Sequence, residues 1–587
     1  MPARDANNFL QITEAPGNVD NYFLFRVDGR EMLSTPFEFR LTIRSQGDVP
    51  DTKAWIGASI TFVMGASDPA FRKINGQCVR FEHAYQKGAY VEFVIDVAPQ
   101  MLVTRMRRDS RIFLQKTAKE IVAQILREHS VPFDDTKVRS VTDRREYCVQ
   151  HLESDFDFIN RLMEEEGVFY YFKYEEGGGR FKHKMYMADD QAGFFDDKVV
   201  TKLSFRRDHL LRGLHSIETA ESAATASWIT HDYNYKKPKD LKPIPTASRL
   251  DWAAKGTHHY DWPGGYDNMT SGRRLSKMSM EEMEAAAILL EGTGSYLCFT
   301  PAARFEIDDP RLTAKERRIA IRSVIHSAWD PYSLDEGGEV SYTQQFTAIP
   351  SYQPYRPPCI TPPAIIRGPQ TAVVIDNVDP EGLGRVKVQF HWDRFASSTC
   401  WLRVAQQWAG KSYGAQFIPR IAMEVLVDFI DGDADRPIVT GCIYNGENDH
   451  PFKLPDKISQ SGWRTTSYKQ GGVLQEFIFE DKAGEEEIYT FAGRNYRRKV
   501  IKDEEVEIDE ELREHIGHDA KIKVDKNAWV EVGETISISG RTDGKLVTNG
   551  PLTIESKVML TLKVGSNTVE LSPMGVAING VIVRINS

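Results

Sequence analysis

The 587-residue chain contains no run of eighteen apolar residues, so no helix long enough to span a membrane is expected. It has no excess of positive charge: the formal net charge is −10, which argues against a nucleic-acid or anionic-membrane partner. Cysteine is sparse. The six, Cys78, Cys148, Cys298, Cys359, Cys400 and Cys442, form no C-x-x-C pair, and none falls in the last 145 residues. Reduced thiols are therefore expected rather than disulfides or a zinc site. The opening MPARDANNFLQITEAPGN has no basic segment leading into an apolar one. No secretory signal is read there, and export, if it occurs, is expected to run without one. A phosphate-binding G-x-x-x-x-G-K-[ST] is also missing.

What is present reads as β-structure in several domains, since 587 residues exceed one core. Strands are expected over 22–43 with a turn at Asp28-Gly29, and the alternation of Phe37–Ile43 and Tyr90–Val97 marks half-buried strands. The period changes over 110–129, where Ala118, Ile121, Val122, Ile125 and Leu126 share one helical face. A second helix is expected from Ser154, with Asp157 completing a capping-box-like start and Gly167 a left-handed stop. Seven prolines in 350–369 predict an extended linker. Five short strands between Ala372 and Ile443 suit a small closed barrel of the OB type.

The last ninety residues carry a repeat. Val500, Ile508, Ile516, Val524 and Val532 are spaced by eight. A second stripe, two residues earlier in each octad, holds Val506, Ile522, Val530, Ile538, Leu546, Ile554, Leu562 and Ile578, and fails at Glu514 and Glu570. Turn formers follow the first stripe at Asp509, Gly517, Asp525 and Gly533. Each octad thus reads as a short strand with two apolar side chains on one side, ending in a sharp corner. A single chain of such rungs is too thin to bury that side. Three chains wound around one axis bury it and also pair the strand edges. The first stripe breaks between Gly540 and Ser556, where loosening or a bulge is expected.

These segments resemble the VgrG family, the valine–glycine repeat spikes of the bacterial type VI secretion system. The resemblance is carried by ESDFDFINRLMEEEGVFYYF (153–172), DPEGLGRVKVQFHWD (379–393), the stretch Cys400–Asn445 and the octads. It implies a mainly β protein fusing a contractile-phage hub to a spike. Expected are a two-barrel hub with a few helices over 1–350, a Pro-rich linker over 351–369 and an OB-fold barrel over 370–450. A connector over 451–499 and an intertwined triple-stranded β-helix over 500–587 follow. The trimer core is expected at Val500, Ile508, Ile516, Val524, Val530, Val532, Ile538, Leu546, Ile554, Leu562 and Ile578. The implied partners are two further copies of the chain, a hexameric Hcp-like tube protein, baseplate components, and effector and adaptor proteins. A PAAR-type tip protein is expected on the distal end, at Val576, Ile578, Val581, Val583, Ile585 and Asn586. The implied role is mechanical puncture of a target membrane, after assembly in the bacterial cytoplasm and secretion. A contractile phage-tail or tailocin hub-spike, a spike with cryptic hydrolase activity, and a trimeric adhesin stand as alternatives. The segment 446–499 is too short for the lysozyme domain that the phage spike carries, and no added effector domain is expected after Ser587.

Enzyme signals are weak, and neither a catalytic residue nor a cofactor or metal is expected. Gly410-Lys411-Ser412-Tyr413-Gly414 matches G-x-S-x-G, but the residues after it do not read as the helix a nucleophile elbow needs. Asp431, Asp433 and Asp435 imitate the start of an EF-hand loop, with Arg436 and Cys442 where glycine and glutamate are required. His258-His259 and His515/His518 lack metal-ligand spacing. The run Glu164-Glu165-Glu166 reads as a solvated helix end.

Overall fold

The computed structural model describes residues 8–46, 50–66, 71–87, 90–177, 180–205, 213–331, 339–469 and 471–586. Two compact units result, Met1–Phe491 and Ala492–Ser587.

The first unit is built on a 13-stranded sheet. Along its main path run Leu10–Glu14, Ser59–Met64, Arg72–Lys87, Tyr90–Ala98, Thr35–Gln46, Tyr22–Met32, Arg318–Trp329, Ser341–Pro350, Ile288–Gly294 and Leu214–Glu221. Its two halves wrap separate cores. One gathers Leu10, Phe39, Phe62 and Phe93; the other gathers Leu214, Phe299, Phe305 and Phe346. The halves meet where Tyr22–Met32 pairs with Arg318–Trp329. Near that seam lie buried charges: Glu31 accepts from Arg72, from His326 at 3.0 Å and from the Tyr174 hydroxyl at 3.1 Å. Burial lowers the His326 pKa.

The alternation in Phe37–Ile43 is realised, with Phe37, Phe39, Leu41 and Ile43 all buried. The expected turn at Asp28-Gly29 is not. The strand Tyr22–Met32 runs straight through, and the reversal comes at Leu33-Ser34, where Ser34 has φ 57°. Gly29 is there for close approach: a Cβ on it would meet the Phe39 ring at 2.1 Å.

The helix expected over 110–129 divides. Arg108–Lys116 is a strand and Ala118–Glu128 a helix, opened by a full capping box between Thr117 and Glu120. The strand part lacks a clear period because both of its faces are buried. It pairs with Arg145–Ser154. Phe113 and Cys148 face the hub core, while Ile112, Tyr147 and Val149 join the core of the next barrel. The helix Asp155–Glu165 starts at Ser154, whose Oγ accepts from the Asp157 N–H at 3.0 Å, and Gly167 after it has φ +64°. The longest helix, Met269–Ala287, has a weak apolar face rich in Ser and Met and was not legible in the sequence.

The proline-rich stretch is extended but not free. Tyr355 and Ile366 are buried. Arg356 donates to Glu281 at 2.8 Å and to the Gly167 and Asp189 carbonyls. Beyond it, Gln370–Asp376, Lys387–Phe390, Arg403–Val404, Glu424–Phe429 and Pro437–Ile443 make a five-stranded sheet. Reciprocal backbone bonds between Val386 and Leu402, 3.0 and 2.8 Å, close it into a barrel. Gln460–Thr466, Leu474–Glu480 and Glu487–Ala492 follow as an antiparallel sheet.

Candidate functional site

The second unit turns the octad into geometry. The chain bends at 493–494, 501–502, 509–510, 517–518, 525–526, 533–534, 541–542, 549–550 and 557–558, an interval of eight that holds without exception. The loosening expected between Gly540 and Ser556 is therefore not found. What changes there is the residue before each bend, which becomes Gly540, Thr548 and Ser556, while Ile538, Leu546 and Ile554 keep the second stripe. Small side chains at that place preserve the rung, and the turn pair Asn549-Gly550 supports its corner.

Among the described residues of 493–558, no strand ladder forms within the chain. The first stripe is 46–54% exposed from Val500 to Val532. In the second stripe Val530, Ile538, Leu546 and Ile554 are also exposed. A row of apolar side chains beside unpaired backbone groups is stable only when other strands cover both.

After the bend at 557–558 the architecture changes. Leu560–Val564, Asn567–Ser572 and Gly575–Asn579 form an antiparallel meander with two-residue turns. Leu562 and Ile578 therefore do not occupy successive rungs as the spacing suggested. They stand on the outer strands with Val569 between them. The failure of the stripe at Glu570 has the same cause: the middle strand runs backwards, and Glu570 lies opposite Thr561 and Ala577 on the other face. Of the expected tip-docking residues, Val576 and Ile578 belong to the last strand, whereas Val581, Val583, Ile585 and Asn586 follow it without strand pairing. Ser587 lies outside the described residues.

The hub and barrel of the first unit meet at a charged seat around a cavity of about 720 Å³. Asp435 is half-buried there and accepts from the Val149 N–H at 2.6 Å. Burial and the neighbouring Asp433 push its carboxyl up to about 7, against the opposing pull of Arg161 and Arg145. Arg436 donates to Asp232 at 2.6 Å. The acid run is no solvated face. Glu164 accepts from the Ile360 and Thr361 N–H groups at 3.0 and 2.8 Å, Glu165 pairs with Arg145 and Arg161, and Glu166 with Arg145 and Arg274. In the loop after the first barrel strand, Asp379 accepts from the backbone of Glu381, Leu383 and Arg385 and from the fully buried Arg385 guanidinium at 2.8 and 2.9 Å. Arg385 also donates to the Tyr235 hydroxyl at 3.0 Å.

Ser412 sits in a two-residue turn between Ala409–Gly410 and Tyr413–Gly414, with φ 64° and no helix after it. The aspartates at 431, 433 and 435 belong to a tight turn, in which Asp433 accepts from the Asp435 N–H at 2.9 Å. His259 stacks on Trp228 at 4.2 Å.

Comparison with known proteins agrees with this order of parts. The phage tail baseplate hub model matches residues 30–332. The type VI secretion system/phage-baseplate injector OB domain matches 370–444, and the bacteriophage T4 gp5 C-terminal trimerisation domain matches 461–571. The type VI secretion system spike protein VgrG1b of Pseudomonas aeruginosa is 29% identical over 87% of this chain and 70% of its own. VgrG1a of the same species is 28% identical over 96% and 89%. The chain belongs to the phage tail baseplate hub family. A solved Escherichia coli type VI secretion component, described as similar to the T4 tail proteins gp27 and gp5, shares the fold. Its TM-score is 0.53 at 20% identity, covering 74% of this chain and 99% of that one. The trimerisation match starts at 461, well before the octads, so it takes in the three-stranded sheet over 460–492. It ends at 571, inside the terminal meander.

Proposed function

We propose that the protein is the trimeric spike of a type VI secretion machine, seated on the end of its tube and driven through a target membrane when the sheath contracts. The observation that carries this reading is the uninterrupted eight-residue bend over 493–558, with at least one apolar stripe residue per rung and no ladder of its own among the described residues. Such a segment needs two more copies to satisfy its backbone and cover its apolar face. Three two-core hubs would offer six similar surfaces to a hexameric Hcp-like tube protein. The distal end would receive a PAAR-type tip protein, and baseplate, adaptor and effector proteins would load the assembled particle. The role is mechanical rather than catalytic: Ser412 stands at a hairpin tip and Asp433 and Asp435 serve a turn. Assembly would take place in the bacterial cytoplasm, followed by secretion. No helix among the described residues is long and apolar enough to cross a membrane.

The test is association of the purified trimer with a hexameric tube protein in sedimentation. No association at micromolar concentration overturns the type VI reading. A peptidoglycan and lipid hydrolysis screen tests the non-enzymatic reading, which any turnover would end. Because the hub match is to a phage-tail model, a phage-tail or tailocin hub-spike is the second reading. Tail-fibre and capsid genes beside this one, instead of sheath and ATPase genes, would favour it.

A further inference from the structure

The terminal meander has two unlike faces. Leu562, Val569 and Ile578 stand in one cross-strand row, and Leu560, Leu571 and Val576 in the next. Both rows lie on the same face, because residues two apart along a strand point the same way. Val564 extends that face at its edge. The opposite face carries the rows Thr561–Glu570–Ala577 and Lys563–Thr568–Asn579. The sheet is therefore apolar on one side and polar on the other. Nothing in its own unit buries the apolar side: Leu562, Leu571, Val576 and Ile578 are all exposed in the single chain. Covering such an apolar face removes its area from water and is favourable in proportion to that area.

We infer that the apolar face packs against the same face of two further copies of this chain, so that three meanders stand side by side around the axis and close a three-walled end on the rungs. This inference rests on the trimeric reading above. Two observations select this occupant. The face continues the rung stripe, since Ile554 leads at the same interval of eight to Leu562. The trimerisation match also runs to residue 571, through most of the middle strand. The spike thus changes its construction near Met559, from rungs shared between chains to a separate sheet from each chain. Val576 and Ile578 then belong to the seam between copies. The end left for a tip protein shrinks to Val581, Val583, Ile585 and Asn586, of which Val581 is 92% exposed.

Cysteine cross-linking of the full chain tests this. Cys359 and Cys442, the exposed native thiols, are first replaced by serine. Val569→Cys, or Leu571→Cys should the first variant fold poorly, is compared with Glu570→Cys after mild oxidation at low protein concentration. Covalent dimers on a denaturing gel are expected from the first two and only monomers from the third. Light scattering separates the two levels of the argument. Loss of the trimer in the unsubstituted protein overturns the trimeric reading itself. An intact trimer in which Val569→Cys does not cross-link, or in which Glu570→Cys links equally well, overturns the meander packing alone. So does a Val569→Cys variant whose introduced thiol reacts freely with maleimide until a tip protein is added.

Discussion

Asp435 and Asp379 are acids of the first unit with opposite electrostatic fates. Asp435 is half-buried beside Asp433, and desolvation and that neighbour raise its pKa to about 7. An acid raised above its unfolded value holds a proton in the folded state that the unfolded chain releases. Its contribution is full below about pH 4 and is lost as pH rises through about 7. Asp435→Asn keeps an acceptor for the Val149 N–H and removes the charge. It is expected to raise the melting temperature of the first unit at pH 8 and to leave it unchanged at pH 4. Calorimetry at the two pH values checks this, and an equal effect at both would refute it. Asp379 is instead held well below the usual carboxylate range by the side-chain hydrogen bonds of Arg385. Asp379→Ala leaves the buried Arg385 guanidinium only Glu381 and Tyr235 as partners and uncaps a turn, at a cost of about 2 kcal/mol in denaturant unfolding. Asp379→Asn, which keeps part of the cap, should cost less.

At the scale of elements, the rung is defined by its corner and by two apolar side chains. The eight-residue bend persists from 541 to 558 although the residue before each corner is no longer apolar, so the rung tolerates a small residue there. The place before the corner is not expected to tolerate a charge, although the second stripe accommodates Glu514. Val524→Asp would place three unpaired carboxylates near one axis in the assembled spike. It is expected to abolish the trimer in light scattering at micromolar concentration, whereas Val530→Asp, in the stripe that holds Glu514, is expected to weaken it less; a Val524→Asp variant that melts with wild-type cooperativity would remove the proposed packing. The Arg108–Lys116 and Arg145–Ser154 pair is the corresponding element of the first unit. One of its faces belongs to the hub core and the other to the barrel core. Tyr147→Ala is therefore expected to destabilise hub and barrel together, by about 3–5 kcal/mol as for other large buried aromatics. Limited proteolysis would show both becoming sensitive.

For the whole molecule, the expected mass in solution is three times 66.7 kDa. A monomer in light scattering would remove the central claim. Sedimentation with a hexameric tube protein then asks whether three copies with two sheet halves each present a six-fold surface. The six cysteines form no disulfide within the chain, and trimer stability is expected to come from burial and strand pairing.

The octad spacing, the strand alternation in Phe37–Ile43 and the start of the helix at Ser154 were legible because each follows a fixed local period or cap. The helix Met269–Ala287 was not, because its apolar face is weak. The turn at Leu33-Ser34 was displaced to Asp28-Gly29 because a glycine needed for close approach to Phe39 looks in sequence like a glycine needed for a bend. The acid run 164–166 looked solvated because its partners, Arg145, Arg274 and the 360–361 backbone, are distant along the chain. By itself the sequence determined the repeat, its two stripes and the need for more than one chain, since periodicity is a local property that a single strand of text records. Only tertiary structure decided where the repeat ends. The same multiples of eight connect Ile554 to Leu562 and Ile578 whether the chain steps forward along an axis or folds back on itself, and the register of Val569 between those last two residues shows that it folds back.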